Sequence, residues 1–305
     1  MKITAVLVLT LAALVAASND IDWRKVRPAW RMPRYWRRLP AEVKKQMLGE
    51  LKDLPKHRPE GRIVGGYEAT AGQFPYQAVL ISQFEQGGAL CGGSILSPNF
   101  VLTAAHCVDQ ASGGTAILGA QDRTNADEVG QVRIPFVEAG IYYHENWNPE
   151  LIRYDIATVR LQSAVTYSDR IQPVTLPTWS DVENDFAGVT GTVSGFGRFS
   201  DDIDAASDIL RYVTNPIQTN TACNLRFLGL IQPENICLSG ENGRGACSGD
   251  SGGPLTISRD GKTVQVGVVS FGLALGCERN WPSAFARTTS FLQWIQAHSD
   301  VIIEA

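Results

Sequence analysis

This sequence of 305 residues lacks several features that would place it in a common class. No two cysteines stand in a CxxC pair, so the usual structural zinc site is not expected. No Asn-x-Ser/Thr sequence occurs, so we expect no N-glycosylation. After residue 17, no apolar run approaches the roughly 20 residues that cross a bilayer. These absences disfavour zinc-knuckle proteins and proteins that span a membrane with helices.

The composition is that of an ordinary globular protein. The sequence is 44% hydrophobic and 19% charged, with 29 glycines and 15 prolines, which excludes disordered, collagen-like and coiled-coil chains. At about 150 residues per domain the length suggests roughly two globular units, although all-β architectures often run longer as one. The net charge of −4 gives no reason to expect a nucleic-acid partner.

The first residues have the pattern of a secretory signal. Lys2 precedes an uncharged, mostly apolar run from Ile3 to Ala17, which is followed by the small or polar residues at 18–20. The run is shorter than the roughly 20 residues of a membrane span. A buried amino-terminal helix is the alternative. We interpret residues 1–17 as a signal peptide and expect a secreted, extracellular protein with no membrane partner.

Residues 18–62 differ in composition from everything that follows. They hold 13 Lys or Arg against 6 Asp or Glu, whereas residues 63–305 hold 13 against 25, so the two parts carry net charges of +7 and −12. Trp23, Trp30 and Trp36 are interleaved with arginines, a pattern that also occurs in nucleic-acid-binding or heparin-binding segments. We interpret 18–62 instead as a removable basic pro-segment that docks on the acidic domain, less tightly at high salt. Apolar spacing predicts a short amphipathic helix after Pro40, at Val43, Met47, Leu51 and Leu54.

From residue 63 onwards short β-type runs are separated by Gly, Pro, Asn and Asp, which predicts an all-β barrel or sandwich. The candidate strands are Val132 to Phe136, Val264 to Val268, Gln77 to Ser82, Thr115 to Leu118, Ala157 to Leu161, and Leu210 to Val213. Near the carboxyl terminus one helical face is predicted, formed by Phe291, Trp294, Ile295, His298 and Ile302. We interpret His298 as a packing or surface residue of that helix.

The cysteines are six in number, and an even number in an exported chain favours three disulfides over unpaired thiols. They are Cys91, Cys107, Cys223, Cys237, Cys247 and Cys277. Six cysteines permit about 15 pairings, and the spacing alone does not choose among them.

Three short segments carry the chemistry. They are Leu102-Thr103-Ala104-Ala105-His106-Cys107, Tyr154-Asp155-Ile156-Ala157 and Gly249-Asp250-Ser251-Gly252-Gly253-Pro254. Each residue alone would be unremarkable, and a glycine-rich run alone is often an ordinary loop. Together His106, Asp155 and Ser251 supply a base, an orienting carboxylate and a nucleophile, the set that activates a weakly acidic hydroxyl.

In order and flanking residues these segments resemble the chymotrypsin-like (trypsin-fold) serine proteases, and they are similar in character to arthropod digestive chymotrypsins. The resemblance runs from Ile63 to the carboxyl terminus. It also includes Ile63-Val64-Gly65-Gly66, Cys91-Gly92-Gly93-Ser94 and Val269-Ser270-Phe271-Gly272. It implies one protease domain at 63–305, with two antiparallel six-stranded β-barrels, the active site between them, and a carboxyl-terminal α-helix.

The resemblance implies a role for each residue of the three segments. Ser251 would attack the scissile carbonyl, His106 would transfer the proton, and Asp155 would orient the imidazole. Backbone N–H groups of Gly249 and Ser251 would form the oxyanion hole. The implied disulfides are Cys91–Cys107, Cys223–Cys237 and Cys247–Cys277. Since no cysteine precedes Cys91, the pro-segment would not stay tethered after cleavage.

The same resemblance implies a zymogen. Trypsin-like cleavage after Arg62 would expose a new ammonium on Ile63, which would pair with Asp250 and order the oxyanion turn.

The primary specificity pocket is implied to be lined by Gly245, Gly272 and Ser283. Relatives that cut after Lys or Arg carry an aspartate at the first of these positions. The uncharged slot here is implied to accept Phe, Tyr, Trp or Leu, and a broad collagenase-like or elastase-like specificity is the alternative. Such an enzyme would need a trypsin-like protease to cut after Arg62. Ser270 and Gly272 are implied to hold the substrate backbone as an added antiparallel strand.

Some questions stay open at this stage. An inactive homologue that works as a binding protein is the alternative to an enzyme, although all three residues of the set are present. Digestion in a gut lumen competes with roles in venom, immunity or development. We find no cofactor or metal signature, and no carboxylate loop argues for the calcium bound by some relatives. The expected partners are protein and peptide substrates, the activating protease and protein inhibitors, with the enzyme itself a monomer.

Overall fold

Alternating apolar residues put much of the chain into β-strands in this computed structural model, which describes residues 21–29, 66–203, 205–227, 229–272 and 277–305. The predicted signal peptide at 1–17, the helix predicted after Pro40, and both Arg62 and Ile63 lie outside the described residues. Within the described ranges no helix has the length and apolar character needed to cross a membrane.

The six candidate runs each overlap a strand, but nine of the fifteen strands in the described residues had no candidate run. The described strands are numbered in chain order. They are β1 Val26–Pro28, β2 Tyr67–Glu68, β3 Gln77–Phe84, β4 Gly87–Ile95, β5 Phe100–Thr103, β6 Gly113–Leu118, β7 Val132–Val137, β8 Ile141–Tyr143, β9 Ala157–Arg160, β10 Thr190–Gly195, β11 Arg211–Gln218, β12 Asn235–Leu238, β13 Pro254–Arg259, β14 Lys262–Phe271 and β15 Ser283–Arg287. The α-helices are α1 Ala105–Val108, α2 Asn220–Phe227 and α3 Leu292–Ala297.

Strand β7 shows why these runs form strands. Ile134 and Phe136 are buried at alternate positions, as the period of a strand requires, while Val132 and Val137 at its ends are exposed. In β14 both faces are covered, because Gln265 and Gly267 between the buried valines are buried too.

The strands form two sheets, and the second closes on itself. The first has the order β7-β6-β3-β4-β5-β9-β8, with β1 pairing on β4, and therefore has eight strands. The second has seven strands in the order β10-β13-β14-β15-β12-β11-β2, and β10 also pairs with β11. The expected all-β fold of two barrel-like sheets is confirmed. Each sheet exceeds the expected six strands, in part because the edge strands β1 and β2 are added.

Polar side chains join the two sheets. Ser94 on β4 donates to Oε1 of Gln265 on β14 at 2.6 Å, and Ser194 on β10 donates to Oε1 of Gln77 on β3 at 2.7 Å. All four side chains are buried, so each hydroxyl and amide needs a partner from the opposite sheet. These bonds fix the mutual position of the sheets along the cleft where the candidate site lies.

The predicted carboxyl-terminal helix is shorter than its apolar pattern suggested. Phe291, Trp294 and Ile295 are buried, but α3 ends at Ala297 and His298 is its carboxyl-terminal cap. Ile302 lies beyond the helix and is 87% exposed, so its assignment to the buried face is wrong. Ser299 donates to the carbonyl of Ile295 at 2.6 Å, and this bond takes the place of the next turn of helix.

Candidate active site

His106 and Asp155 form a buried pair between two elements of the first sheet. His106 lies in the one-turn helix α1 directly after β5, and Asp155 lies just before β9, the neighbour of β5. Nδ1 of His106 is 2.8 Å from Oδ2 of Asp155, and the backbone N–H of His106 donates to Oδ1 at 2.9 Å. Both carboxylate oxygens are thus engaged by one residue, which fixes the imidazole plane and favours a proton on Nδ1.

The backbone before Asp155 helps to aim its carboxylate. Tyr154 has a φ of +55°, in the left-handed region that a tyrosine adopts only when its surroundings hold it there. Ser270 on β14 donates its hydroxyl proton to Oδ2 of Asp155 at 2.5 Å. The second sheet therefore contributes to holding the carboxylate.

Ser251 lies in a tight turn that leads into β13 of the second sheet. The N–H of Asp250 donates to the carbonyl of Cys247 at 3.0 Å, and the N–H of Gly253 donates to the carbonyl of Asp250 at 2.8 Å. Gly249 and Gly252 have φ values of +103° and +79°, which disfavour any side chain there. A Cβ on Gly252 would also overlap the hydroxyl of Thr103 on β5. The glycines allow the turn to press against the first sheet.

The structure brings this turn against the loop of His106. The carbonyl oxygen of Ser251 accepts from the N–H of Gly92 at 2.7 Å and lies 3.5 Å from Sγ of Cys107. Cys107 is the residue after His106 and is bonded to Cys91, the residue before Gly92. Motifs about 150 residues apart in the chain thus meet where the two sheets face each other.

Asp250 is turned into the protein beside Ser251. Its side chain belongs to a residue that is only 1% exposed, and its two oxygens accept from the N–H groups of Gly197 at 2.8 Å and Cys247 at 2.9 Å. Burial raises the pKa of Asp250 to about 6, and the two backbone hydrogen bonds act in the opposite direction. Among the described residues, no cation is among the causes of this pKa shift.

Three disulfides brace the site and its surroundings. They are Cys91–Cys107, Cys223–Cys237 and Cys247–Cys277, the pairs that the resemblance implied. The first holds the His106 loop to β4, and the third ties the segment before Ser251 to the residues that precede β15.

The comparisons with known proteins agree with this geometry. A family model described as Trypsin matches residues 63–295, which is more than half of the chain. The chain belongs to the trypsin family. It is 42% identical over 239 residues to brachyurin of Leptuca pugilator, an alignment covering 78% of this chain and 99% of that protein.

Two further relatives have the same character. Collagenase of Hypoderma lineatum is 37% identical over 245 residues, covering 80% of this chain and 89% of that protein. Chymotrypsin of Phaedon cochleariae is 37% identical over 256 residues, covering 84% and 89%. A solved structure of HL collagenase matches with a TM-score of 0.71 and 34% identity, covering 79% of this chain and 100% of that one. This trypsin-family chain is therefore a serine protease of the chymotrypsin type, whose substrates are proteins.

In this trypsin-family domain the three residues expected to line the pocket fall in two groups. Gly245 and Ser283 are neighbours, because a Cβ on Gly245 would lie 2.8 Å from Oγ of Ser283. That oxygen also accepts from the N–H of Ala246 at 3.1 Å. Gly272 follows β14, and a Cβ there would meet no described residue within 4 Å. Within the described part of the chain, Gly272 therefore lies beside space that no side chain fills.

The described residues contain two clusters of potential metal ligands, and neither is well suited to hold a metal ion. Two groups bring His, Cys or acidic ligand atoms within 4.8 Å of one another, Cys91 with His106 and Cys107, and Asp201 with Cys247 and Cys277. In each group both cysteines belong to a disulfide, so neither offers the thiolate that binds metals.

Sequence reasoning missed two glycines that the site requires. A Cβ on Gly195 or on Gly197 would overlap the carboxylate of Asp250. The two glycines are visible in the sequence as the run Gly195-Phe196-Gly197 at the end of β10, but nothing in the sequence linked that run to the residue before Ser251.

His298 stacks on Trp294 with ring centroids 4.5 Å apart, which agrees with its interpretation as a packing residue.

The raised pKa of Asp250 predicts a pH dependence of stability in the uncleaved chain. Since the folded form binds a proton up to a pH of about 6 and the unfolded carboxyl only up to its ordinary pKa of 3.8, the contribution of Asp250 to the free energy of unfolding is greatest below that lower value. It falls by about 3 kcal/mol as pH rises through this window, at about 1.4 kcal/mol per unit. Urea unfolding of the wild type and of Asp250→Asn between pH 4 and 7 measures this contribution of Asp250 to the free energy of unfolding. A difference between the two proteins that does not change with pH would contradict it.

Proposed function

We propose that this protein is a secreted zymogen of a serine endopeptidase in which Ser251 is the nucleophile, His106 the general base and acid, and Asp155 the orienting carboxylate. The observation that carries this proposal is the buried His106–Asp155 pair, joined at 2.8 Å, against which the Ser251 turn is packed. A serine hydroxyl is too weakly acidic to attack unaided, and an oriented imidazole is the group that activates it.

The residues act in a defined order. The imidazole, with its Nδ1 proton held by Asp155, uses Nε2 to take the Oγ proton of Ser251 as the new C–O bond forms. Backbone N–H groups of Gly249 and Ser251 stabilise the negative oxygen that develops, and one such donor is worth about 3 kcal/mol. His106 then gives the proton to the departing amine, and water repeats the sequence to release the acyl group.

Activation is proposed to follow cleavage of the bond between Arg62 and Ile63, which is the proposed boundary between the pro-segment and the protease domain. The ammonium exposed on Ile63 would supply the positive charge that Asp250 lacks in the uncleaved chain. The raised pKa of Asp250, caused by burial, supports this pairing, because a nearby cation relieves the cost of a buried carboxylate. The pocket has no carboxylate at Gly245, so the activating enzyme is proposed to be a separate trypsin-like protease. The weaker retention of segment 18–62 at high salt stays a prediction.

Cleavage after large apolar residues is the proposed specificity. Gly245, Gly272 and Ser283 bring no charge and little bulk, and Gly272 faces open space, so burial of Phe, Tyr, Trp or Leu would drive binding. A broader, collagenase-like specificity is the second candidate, and relatives named brachyurin and collagenase favour it. Ser270 and Gly272 are proposed to pair with the substrate backbone. Protein digestion in a gut lumen, a monomeric state and regulation by protein inhibitors complete the proposal.

The test is a peptide-library profile of the purified chain after cleavage by immobilised trypsin and removal of residues 18–62. The proposal predicts cuts after Phe, Tyr, Trp and Leu that are absent before activation. Cuts spread over small, apolar and basic residues alike would favour the broader specificity, and no cuts at all would contradict the proposed activity.

Filling the pocket should change this preference. In Gly272→Val the added methyl groups enter space that is open in the wild type. We expect kcat/KM for a substrate cut after Phe to fall about a hundredfold, within the range that one pocket contact supplies, while a substrate cut after Ala changes much less. Steady-state kinetics with the two substrates measures the ratio. An equal fall for both substrates would mean that Gly272 does not border the pocket.

A further inference from the structure

A short stretch of the amino-terminal segment lies on the protease domain as an added strand. Residues 23–25 form one turn of 3-10 helix, and β1 then runs parallel to β4 with Val26 opposite Gly88, Arg27 opposite Ala89 and Pro28 opposite Leu90. We name residues 21–29 the inhibitory strand. It uses the edge of β4 that β3 leaves open, since β3 pairs along the opposite edge over the whole of β4.

The side chains of the inhibitory strand are anchored by apolar packing. Ile21, Trp23 and Val26 pack against a buried cluster that includes Leu90, Phe196 and Leu210. The guanidinium carbon of Arg123, from the protease domain, lies 4.5 Å from the ring centroid of Trp23. At that distance a cation over an aromatic face is attracted to the ring. In this contact the protease domain supplies the cation and the inhibitory strand supplies the ring.

Two further features show that the β4 surface fits this strand. A Cβ on Gly88 would lie 3.2 Å from Cγ2 of Val26, closer than ordinary packing allows, so glycine at this position leaves room for the strand. The basic side chains contribute little to the described contact: Arg24 and Lys25 pair with Asp22 of the same stretch, and Arg27 is exposed. The described contact thus depends on strand pairing and apolar packing.

The inhibitory strand leads directly to the proposed catalytic residues. Ala29, at its end, is 1% exposed and belongs to the buried cluster that contains Cys91 and Cys107. Beyond its pairing with β1, strand β4 continues to Gly92, whose N–H binds the carbonyl of Ser251. The proposed pocket residues lie in or near the strands of the second sheet, whereas β4 belongs to the first sheet. The strand is therefore on the side of Ser251 away from the proposed pocket, where the leaving group would lie. In this form the His106 side chain is 1% exposed and Ser251 is 6% exposed.

The direction of the inhibitory strand is opposite to that of a substrate. Residues that follow a scissile bond lead away from the nucleophile, whereas the inhibitory strand runs from Val26 towards Ala29 and so approaches it. A peptide in this reversed direction offers Ser251 no correctly oriented carbonyl, so it can occupy the cleft without being cut.

We propose that the open edge of β4 with the neighbouring apolar cluster is a binding site for an extended peptide carrying an aromatic anchor, and that its occupant is the chain's own inhibitory strand, which inhibits the activated enzyme in trans by binding in reverse. This rests on the proposed function, since inhibition requires the activity. It adds that cleavage after Arg62 alone leaves an inhibited complex, and that full activity requires release of the inhibitory strand.

The test uses enzyme that has been cleaved with immobilised trypsin and then freed of residues 18–62, with their removal verified by mass spectrometry, together with a synthetic peptide of residues 20–32. The reporter is a peptide substrate with residues on both sides of the scissile bond. We expect competitive inhibition, and we expect Trp23→Ala in the peptide to weaken it by about thirtyfold, as for a half-buried aromatic anchor. The matched control is Arg27→Ala, whose side chain is exposed on the same stretch and should change the inhibition constant by less than about threefold.

The outcomes separate the two proposals. Failure of the activated enzyme to hydrolyse the reporter before any peptide is added would overturn the proposed function. Hydrolysis that the peptide does not inhibit, or inhibition that Trp23→Ala leaves unchanged, would overturn the binding site. Mass spectrometry of the peptide after prolonged incubation tests the direction: an intact peptide supports reversed binding, and cleavage within residues 21–29 by the enzyme contradicts it.

Discussion

Ser251→Ala is expected to lower kcat of the activated enzyme by about a millionfold while leaving the fold intact. The hydroxyl is the proposed nucleophile, and alanine retains the backbone N–H groups of the turn, so the residual rate reports substrate binding and the oxyanion hole alone. The measurement is kcat with a peptide substrate, after cleavage at Arg62 has been verified by amino-terminal sequencing.

The control for this variant is Ser248→Ala. Ser248 lies three residues earlier in the same loop and is partly exposed, and its carbonyl accepts from the N–H of Arg198 at 2.8 Å, a bond that alanine retains. We expect its kcat to stay within about threefold of the wild type. If Ser251→Ala kept more than a hundredth of the wild-type kcat, Ser251 would not be the nucleophile.

Asp250→Asn is expected to leave the cleaved enzyme largely inactive. Without the carboxylate the Ile63 ammonium would be buried without a partner, and breaking such a pair costs about 3–5 kcal/mol. This corresponds to a loss of roughly a hundredfold to several thousandfold in the fraction of enzyme with an ordered oxyanion turn. Titration of active sites with a chromogenic acylating reagent measures that fraction directly.

The same pairing fixes the alkaline limit of activity. The α-amino group titrates near about 8 when unpaired, and Asp250 would raise its pKa in the folded enzyme. The stabilisation is then complete below that unperturbed pKa and is lost as pH rises through the raised value.

The control for Asp250→Asn is Asp185→Asn, because the carboxylate of Asp185 accepts from the N–H of Ala187 in an exposed loop. Wild-type turnover in Asp250→Asn cleaved at Arg62 would contradict the pairing.

Much of the fold could be predicted because its signals are local. The alternation of Ile134 and Phe136 and the run of valines in β14 are patterns of single strands, and each strand lies where its pattern indicated. The residues of the candidate site were recognisable for a similar reason, since His106, Asp155 and Ser251 each stand in a short distinctive segment. The geometry that joins them involves long-range contacts such as the one from Gly92 to Ser251.

What could not be predicted depends on contacts between distant parts of the chain. No local pattern indicated that Gly197 packs against Asp250, because 53 residues separate them. Residues 26–28 contain an arginine and a proline, which is unlike a central strand, yet they pair with β4 because an open sheet edge is available there. Ile302 fits the helical period, but the helix ends earlier because Ser299 bonds to the backbone.

Covalent labelling with a serine-directed fluorophosphonate, before and after trypsin cleavage at Arg62, tests whether Ser251 becomes a nucleophile on activation. We expect negligible labelling of the uncleaved chain and stoichiometric labelling of the cleaved chain once residues 18–62 have been removed, with the label located on Ser251 by peptide mass spectrometry. Labelling of a different residue, equal labelling before and after cleavage, or no labelling of the cleaved chain would contradict it.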